Sequence, residues 1–341
     1  MKTLSLFSGG GGIDIGFKQA GFDIVVNSDN WEIACNTLRN NQSSKVVIHD
    51  DIRNIDFKEL KKYKFDCVVG GPPCPAYSKS RFYLKDKKRA LEDENAFTLL
   101  SYFEAIKIIN PKVFFFENVN GFVFKPHMAA FNYLKDQSEK LGYNISHKVI
   151  NCANYGIPQI RQRFICVGFK KNLGNFIFPE ETHFNPEKND DLFLKPWIDC
   201  EQAIGDLNFV NKNEDNLTVP GAKHNNLLKL VPPGDNYLFF TKKRGHKKPL
   251  FKWRSRYWSF LLKLSPKKPS WTIQASFSNN MGPFHWKNRF LKISEIKRIQ
   301  TFPDNYKLSG NFNEQWKQVG NAVPPLLAKI IAKSIKKQLK T

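Results

Sequence analysis

Four consecutive glycines, Gly9 to Gly12, stand between the apolar run Thr3 to Phe7 and an amphipathic stretch from Ile13 to Ala20. With no side chains in the way, the backbone there can turn tightly, and the helix that follows presents free N–H groups to whatever lies above the turn. A strand that enters such a turn and leaves as a helix belongs in a parallel α/β sheet. The chain up to about residue 170 repeats this alternation. Further candidate strands are Asp23 to Asn27, Val46 to His49, Asp66 to Gly70, Val113 to Glu117, Asn144 to Ile150 and Arg163 to Phe169, with helices at Trp31 to Asn40 and Phe97 to Ile109. The expected fold is α/β: a doubly wound, mostly parallel, Rossmann-like sheet.

After Phe169 the periodicity fades into Asn, Pro, Gly, Lys and aromatic residues, and it returns only near Ile293. Pro325 to Leu339 then reads as a helix packing back on the first part. Three segments are expected: a sheet-forming domain over 1–172, a smaller lobe over 173–283, and a return to the first domain over 284–341. One stretch of that lobe carries much of the charge. The chain has 53 Lys and Arg against 31 Asp and Glu, a net charge of +22, and from Gly221 to Ser270 there are 13 basic residues and a single acidic one, Asp235. Lys242, Lys243, Arg244, Lys247, Lys248, Lys252, Arg254 and Arg256 alternate there with Phe239, Phe240, Phe251, Trp253, Tyr257 and Trp258. Cations for phosphates mixed with flat rings make a nucleic-acid surface.

Other classes are disfavoured. No uncharged apolar run is long enough to span a bilayer, and MKTLSLFSGG lacks a signal-peptide pattern, so a cytoplasmic location is expected. The 6 cysteines, at 35, 67, 74, 152, 166 and 200, show neither C-x-x-C pairing nor Cys/His metal spacing, so neither disulfides nor a metal is expected.

The chemistry gathers at strand ends. The second strand runs into Asn27-Ser28-Asp29-Asn30, placing an acid where doubly wound folds hold ribose hydroxyls, and Asp51 follows the third. Glycines and acids at three consecutive strand ends favour an adenosine-containing cofactor. The fourth strand leads into Gly70-Gly71-Pro72-Pro73-Cys74-Pro75, a stiff bent loop presenting one thiol at the ligand-binding edge. Phe114-Phe115-Phe116-Glu117 brings an acid to the same edge, where partial desolvation would raise its pKa and let it donate a proton.

In this order, the pieces resemble the motif series of the bacterial DNA cytosine-5 methyltransferases of restriction-modification systems. Phe7-Ser8-Gly9-Gly10-Gly11-Gly12 is similar to the family's first motif, Gly71-Pro72-Pro73-Cys74 to its Pro-Cys motif, and Glu117-Asn118-Val119 to its Glu-Asn-Val motif. Gln159-Ile160-Arg161-Gln162-Arg163 matches the Gln-x-Arg-x-Arg motif, Glu295 to Tyr306 the ninth and Gln318 to Pro325 the tenth. The resemblance covers about residues 1 to 170 and 285 to 340.

It implies methyl transfer from S-adenosylmethionine to C5 of a cytosine flipped out of double-stranded DNA. By analogy Cys74 attacks C6, Glu117 protonates N3, and Arg163, with Arg161, stabilises the base carbonyl and the assembled site. The cofactor would lie among Phe7, Ser8, Gly9, Gly11, Gly12, Ile13, Asp29, Asn30, Asp51, Ile52, Pro73, Asn321 and Val323. Ser78, Arg244, Arg254 and Arg256 are the expected DNA contacts, and 173–283 the target-recognition lobe. A monomer is expected, with a companion restriction endonuclease not in direct contact. Pro75 stands where the family usually has Gln, Tyr77 where it has Phe, Ser294 where Arg is common, and Asn30 where a residue packing on adenine is usual. The rival readings are a non-catalytic DNA-binding descendant and a nicotinamide oxidoreductase. The first is disfavoured by the intact Cys74, Glu117 and Arg163, and the second leaves the basic lobe unexplained. A tRNA-methylating branch shares the motifs but normally carries a smaller lobe.

Overall fold

A computed structural model of the chain describes residues 1–73, 97–188, 190–207, 221–276 and 278–339. Its centre is a seven-stranded sheet of β1 (Lys2–Leu6), β2 (Asp23–Asp29), β3 (Val46–His49), β4 (Cys67–Gly70), β5 (Val113–Val119), β6 (Tyr143–Asn151) and β8 (Gln162–Lys170), while β7 (Gln159–Ile160) pairs elsewhere. The spatial order is β3-β2-β1-β4-β5-β8-β6. All neighbours run parallel except β8, which is antiparallel to both β5 and β6. Every expected strand of the sheet forms, with ends that differ by at most two residues.

The strands are apolar throughout because both faces are covered, and successive residues enter opposite cores. Val68, Phe114, Phe116, Phe164 and Cys166 belong to one cluster, with α3 (Phe57–Leu60), α4 (Phe97–Ile109) and α5 (Met128–Lys140). Cys67, Val69, Val113, Phe115, Ile165 and Val167 belong to the other, with α1 (Gly12–Gln19) and the C-terminal α10 (Pro325–Gln338). The closing helix therefore packs as expected, and it packs closely. A Cβ on Gly16 would lie 2.5 Å from both Ala328 Cβ and the Pro325 carbonyl, so α1 needs glycine there. The helix α2 (Glu32–Asn40) lies along β2 and β3.

From β1 the chain moves outward to β2 and β3, then returns to place β4 on the other side of β1. This reversal opens a crevice outside the carboxyl ends of β1 and β4, and the glycine turn and the Gly71-Pro72-Pro73 turn both leave from there.

Beyond Lys170 regular structure is sparse: β9 (His183–Phe184), β10 (Lys195–Pro196), α6 (Cys200–Ile204), α7 (Asn225–Leu230) and β11 (Ser270–Trp271). A separate core of Leu228, Val231, Tyr237, Leu238, Phe240, Phe260, Leu261, Phe284 and Phe290 holds the basic aromatic stretch. α8 (Ile293–Ile299) and α9 (Phe312–Asn321) pack with α6 through Cys200, Ile204, Ile296, Ile299 and Val319. No helix among the described residues is long and apolar enough to cross a membrane.

Candidate active site

Glu117 and Arg163 face each other because β5 and β8 are antiparallel neighbours, with Val119 opposite Arg163 and Glu117 opposite Ile165. Arg163 Nε lies 2.8 Å from Glu117 Oε1, and only 12% and 10% of the two side chains are exposed. Burial raises the Glu117 pKa above the ordinary carboxylate value, with the charges of Arg163 and Arg161 pulling against it. The glycine of the Pro-Cys motif fits against this acid, since a Cβ on Gly71 would stand 2.8 Å from Glu117 Oε2. Asn118 Nδ2 donates to the Pro72 carbonyl at 3.4 Å and fixes the turn from the other side. Pro73 follows. Cys74 and Ser78 lie outside the described residues.

The other five cysteines, Cys35, Cys67, Cys152, Cys166 and Cys200, are all buried. Burial pushes every one of their thiols up, Cys35 and Cys152 to about 11. None of these is poised to form a thiolate at neutral pH.

Across β1 the glycine turn is held by Asp29, whose Oδ2 accepts from Gly9 N at 2.7 Å and whose Oδ1 accepts from Trp31 N at 2.9 Å. Burial raises the Asp29 pKa, against these backbone donors. Each oxygen keeps a lone pair, so the carboxylate suits a vicinal diol. Phe7 and Gly9 take left-handed backbone, at φ 55° and 52°. A Cβ on Gly9 would meet nothing within 4 Å, so this residue opens toward the crevice. Gly11 and Gly12 do something else: a Cβ on the first would strike Tyr306 Oη at 2.5 Å, and one on the second the Val323 carbonyl at 2.3 Å. These two glycines are needed for packing beneath the turn.

Ser8 is buried and bonded to Ser5 and Asn27, at 2.9 and 3.1 Å between side-chain atoms. Ile13 joins the α10-side core and Ile52 the opposite one. Asn30 is exposed, as is Asn321 at the end of α9, while Val323 is buried. Asp51 is engaged at home, bonded to Arg53 N at 2.9 Å and paired with the Arg53 guanidinium at 2.6 Å, which holds its pKa down. Trp31 escaped the sequence reading. Its amide holds Asp29 and its ring lies 4.3 Å from the Lys317 ammonium, and the available signal was an aromatic directly after Asp29-Asn30.

Arg161 is placed differently from Arg163. It is fully buried and donates to the carbonyls of Ile273 at 3.0 Å, Gly320 at 2.8 Å and Ala322 at 2.9 Å. It clamps the start of β8 to the α9–α10 connection and to the segment after β11. Gln318 works beside it, accepting from Thr37 Oγ1 at 2.6 Å and packing over Gly10.

Among the expected DNA contacts, Arg254 and Arg256 are exposed, whereas Arg244, also exposed, is paired with Asp235 at 2.6 Å. Lys242, Lys243, Pro249, Phe251, Lys252 and Trp253 line an open cavity of about 500 Å³, with Lys243 Nζ 4.6 Å from the Trp253 ring centroid.

Comparison with known proteins bears on the family and the fold. A family model described as C-5 cytosine-specific DNA methylase matches residues 1–337. The chain is 35% identical to the type II methyltransferase M.SacI of Streptomyces achromogenes, covering 99% of this chain and 93% of that protein. It is 32% identical to M.NgoFVII of Neisseria gonorrhoeae, covering 98% and 86%. Among solved structures, a DNA modification methyltransferase from an E. coli prophage superposes with a TM-score of 0.70 at 19% identity, covering 100% of both chains. The Dnmt2 methyltransferase of S. pombe does so with a TM-score of 0.65 at 16% identity, covering 100% and 98%.

Proposed function

Since the chain belongs to the C-5 cytosine-specific DNA methylase family, we propose that it methylates C5 of a specific cytosine in double-stranded DNA through a covalent Cys74 adduct, in a restriction-modification system. The observation that carries this reading is the Glu117–Arg163 pair against Gly71, three residues before Cys74 in the sequence, with the other five cysteines buried in the core.

C5 of cytosine is a weak nucleophile until something adds across the 5,6 double bond. The Cys74 thiolate forms the bond to C6 while Glu117, its pKa raised by burial, passes a proton to N3, so that electron density moves to C5. Arg163 orients Glu117 through the 2.8 Å contact and offers its remaining donors to the base carbonyl. When bound, S-adenosylmethionine supplies the methyl group, with Asp29 on the ribose diol and Gly9 leaving room for the ligand. Loss of the C5 proton and departure of Cys74 restore the ring. The target base reaches the pocket by flipping out of the duplex, because these atoms are shielded in stacked DNA. Arg161 acts as a positioning residue through its three carbonyl partners.

We assign residues 1–172 and 284–341 to catalysis and cofactor binding, and 173–283 to target recognition. Exposed Arg254 and Arg256, together with the lysine-lined cavity, would contact the DNA backbone. The protein acts as a monomer, and a companion endonuclease would cut the same sequence without touching it.

The test is a trap. DNA carrying 5-fluorocytosine at the modified position cannot lose a C5 proton, so with S-adenosylmethionine it should hold the protein in a denaturant-stable adduct. The cross-linked peptide should contain Cys74. An adduct at another cysteine, or methylation by the Cys74→Ala protein, rejects the mechanism.

A further inference from the structure

Two indoles outside the described chemistry stand at the junction of the two lobes. Trp258 and Trp271 pack edge to face, with ring centroids 5.6 Å apart and planes at 73°, yet they remain 51% and 36% exposed. Core tryptophans do not leave that much ring in water, and the described core clusters contain neither. Their backbones are firmly held. Asn236 Nδ2 donates to the Trp258 carbonyl at 2.8 Å. In β11, Ser270 and Trp271 pair with Gln159 and Ile160 of β7. Ser270 N donates to the Pro158 carbonyl at 2.9 Å, Thr272 Oγ1 to the Ile160 carbonyl at 2.8 Å, and buried Arg161 to the Ile273 carbonyl at 3.0 Å. The segment bearing Trp271 is thus bolted to the residues that deliver Arg163 to Glu117 two positions later.

The surroundings choose the occupant. Trp258 follows Arg254 and Arg256, and Trp271 follows Lys267 and Lys268, all four of them exposed. Flat, partly wet rings flanked by cations suit a polyanion that also carries flat rings, and an indole stacks on any base because every base has a π-face. A base can meet such a platform only when it leaves its own stack, which is what removal of a target nucleotide from the duplex brings about.

We propose that Trp258 and Trp271 form a stacking platform for an unstacked base of the DNA beside the catalytic pocket, making them positioning residues for the transfer. The proposal rests on the DNA methyltransferase reading above and adds the contact that holds the opened duplex at the site. Arg161 ties platform and catalytic strand together, so opening of the DNA and delivery of the base are registered by one rigid segment.

The experiment first maps the methylated sequence on DNA from cells expressing the chain. Duplexes of that sequence with a single abasic position, moved one nucleotide at a time, are then titrated against wild type, Trp271→Ala, Trp258→Ala and Trp271→Phe. Each alanine variant should bind the intact duplex roughly 5- to 100-fold more weakly, the loss of one base–aromatic stack, while Trp271→Phe keeps most of the affinity. At one abasic position wild type and Trp271→Ala should bind equally, because the base that the indole covers is gone. S-adenosylmethionine affinity and melting temperature should match wild type. Unchanged DNA affinity in the alanine variants overturns the proposal, as does a defect that persists at every abasic position. A loss that comes with lowered melting temperature and weakened cofactor binding marks a packing role and also overturns it. If the wild-type protein methylates no DNA, the functional reading falls and this one with it; if it methylates and Trp271→Ala binds normally, only this one falls.

Discussion

At the sheet edge, charge is buried and paired: Glu117 and Arg163 meet at 2.8 Å with about a tenth of each side chain in water, and Asp29 is wrapped by two backbone amides. In the lobe the opposite holds. From Lys242 to Arg256 the cations stand in solvent, and Asp235, the single acid between Gly221 and Ser270, takes Arg244. Buried charges fix one geometry because any other leaves them unpaired at high cost, whereas exposed charges tolerate many arrangements at little cost each. The contrast fits a division of labour in which the edge performs one reaction and the lobe adapts to a sequence.

The largest test of this division removes the acid and keeps its shape. Glu117→Gln should lower turnover about 100- to 10,000-fold, the usual range for a positioned acid, while DNA affinity stays within a few-fold of wild type. The pH–rate profile adds a signature. Burial raises the Glu117 pKa, so the proton it donates remains in place above the ordinary carboxylate range and is lost as pH rises through the raised value. That limb should vanish in the variant. A fall in DNA affinity as large as the fall in turnover would break the comparison.

Salt should act on the lobe and spare the edge. At least about 6 phosphate-directed cations predict a fall in DNA affinity of roughly 1000-fold between 50 and 200 mM salt. The slope should be the same in the Glu117→Gln protein, measured by fluorescence anisotropy with labelled duplex. A flat salt dependence removes the electrostatic reading of the lobe.

The same contrast explains what could be read from sequence. Strands β4 and β5 are legible because a doubly covered sheet requires uninterrupted apolar runs such as Cys67-Val68-Val69 and Phe114-Phe115-Phe116. Glu117 and Arg163 follow from strand ends and motif order, and the antiparallel register then brings them together. Hidden from sequence were the partners across long separations: Gly11 against Tyr306, Gly12 against Val323, Asp29 held on Gly9, and Arg161 on three distant carbonyls. Glycines needed for packing and glycines open to a ligand look alike in one dimension. The lobe is illegible for another reason: its core residues, such as Leu228, Tyr237, Phe260 and Phe284, come from turns and short helices with no common period. Strands of two residues, like β7 and β11, exist only through their pairing.

A third expectation concerns the cost of charge under the sheet edge. Asp14 in α1 is 1% exposed, with the Ser5 and Asn27 side chains beside its carboxyl group. Burial pushes its pKa up to about 7 from the ordinary 3.8, against the opposing pull of Ser5, Asn27 and Lys18. Below pH 3.8 the acid is neutral in folded and unfolded chains alike, so nothing is lost. Between pH 3.8 and about 7 the unfolded chain ionises it while the folded chain keeps it neutral, so up to about 4 kcal/mol is lost across that window and no more above it. Asp14→Asn stays neutral throughout. It should therefore melt above wild type at pH 8, with the gap closing toward pH 4, and a gap independent of pH would reject the assignment.

The smallest expected effects separate two arginines that the sequence treats as equivalents. Arg254 is exposed in the basic stretch, at a left-handed backbone position with φ 55°, whereas Arg244 reaches Asp235 at 2.6 Å. A guanidinium already bonded to a carboxylate must give up that partner before it neutralises a phosphate, so its gain on binding DNA is reduced by what it leaves behind. Arg254→Ala should weaken DNA binding by about tenfold and lower the salt slope by about one unit, as expected for the loss of one phosphate contact. Arg244→Ala should leave the slope unchanged and alter stability by no more than about 1 kcal/mol, the usual size of an exposed ion pair. A slope reduced equally by both substitutions would show that Asp235 releases Arg244 to the DNA. The basic stretch would then hold its one acid, Asp235, in reserve as a switchable partner, and the division between paired edge and unpaired stretch would become a property of the free protein alone.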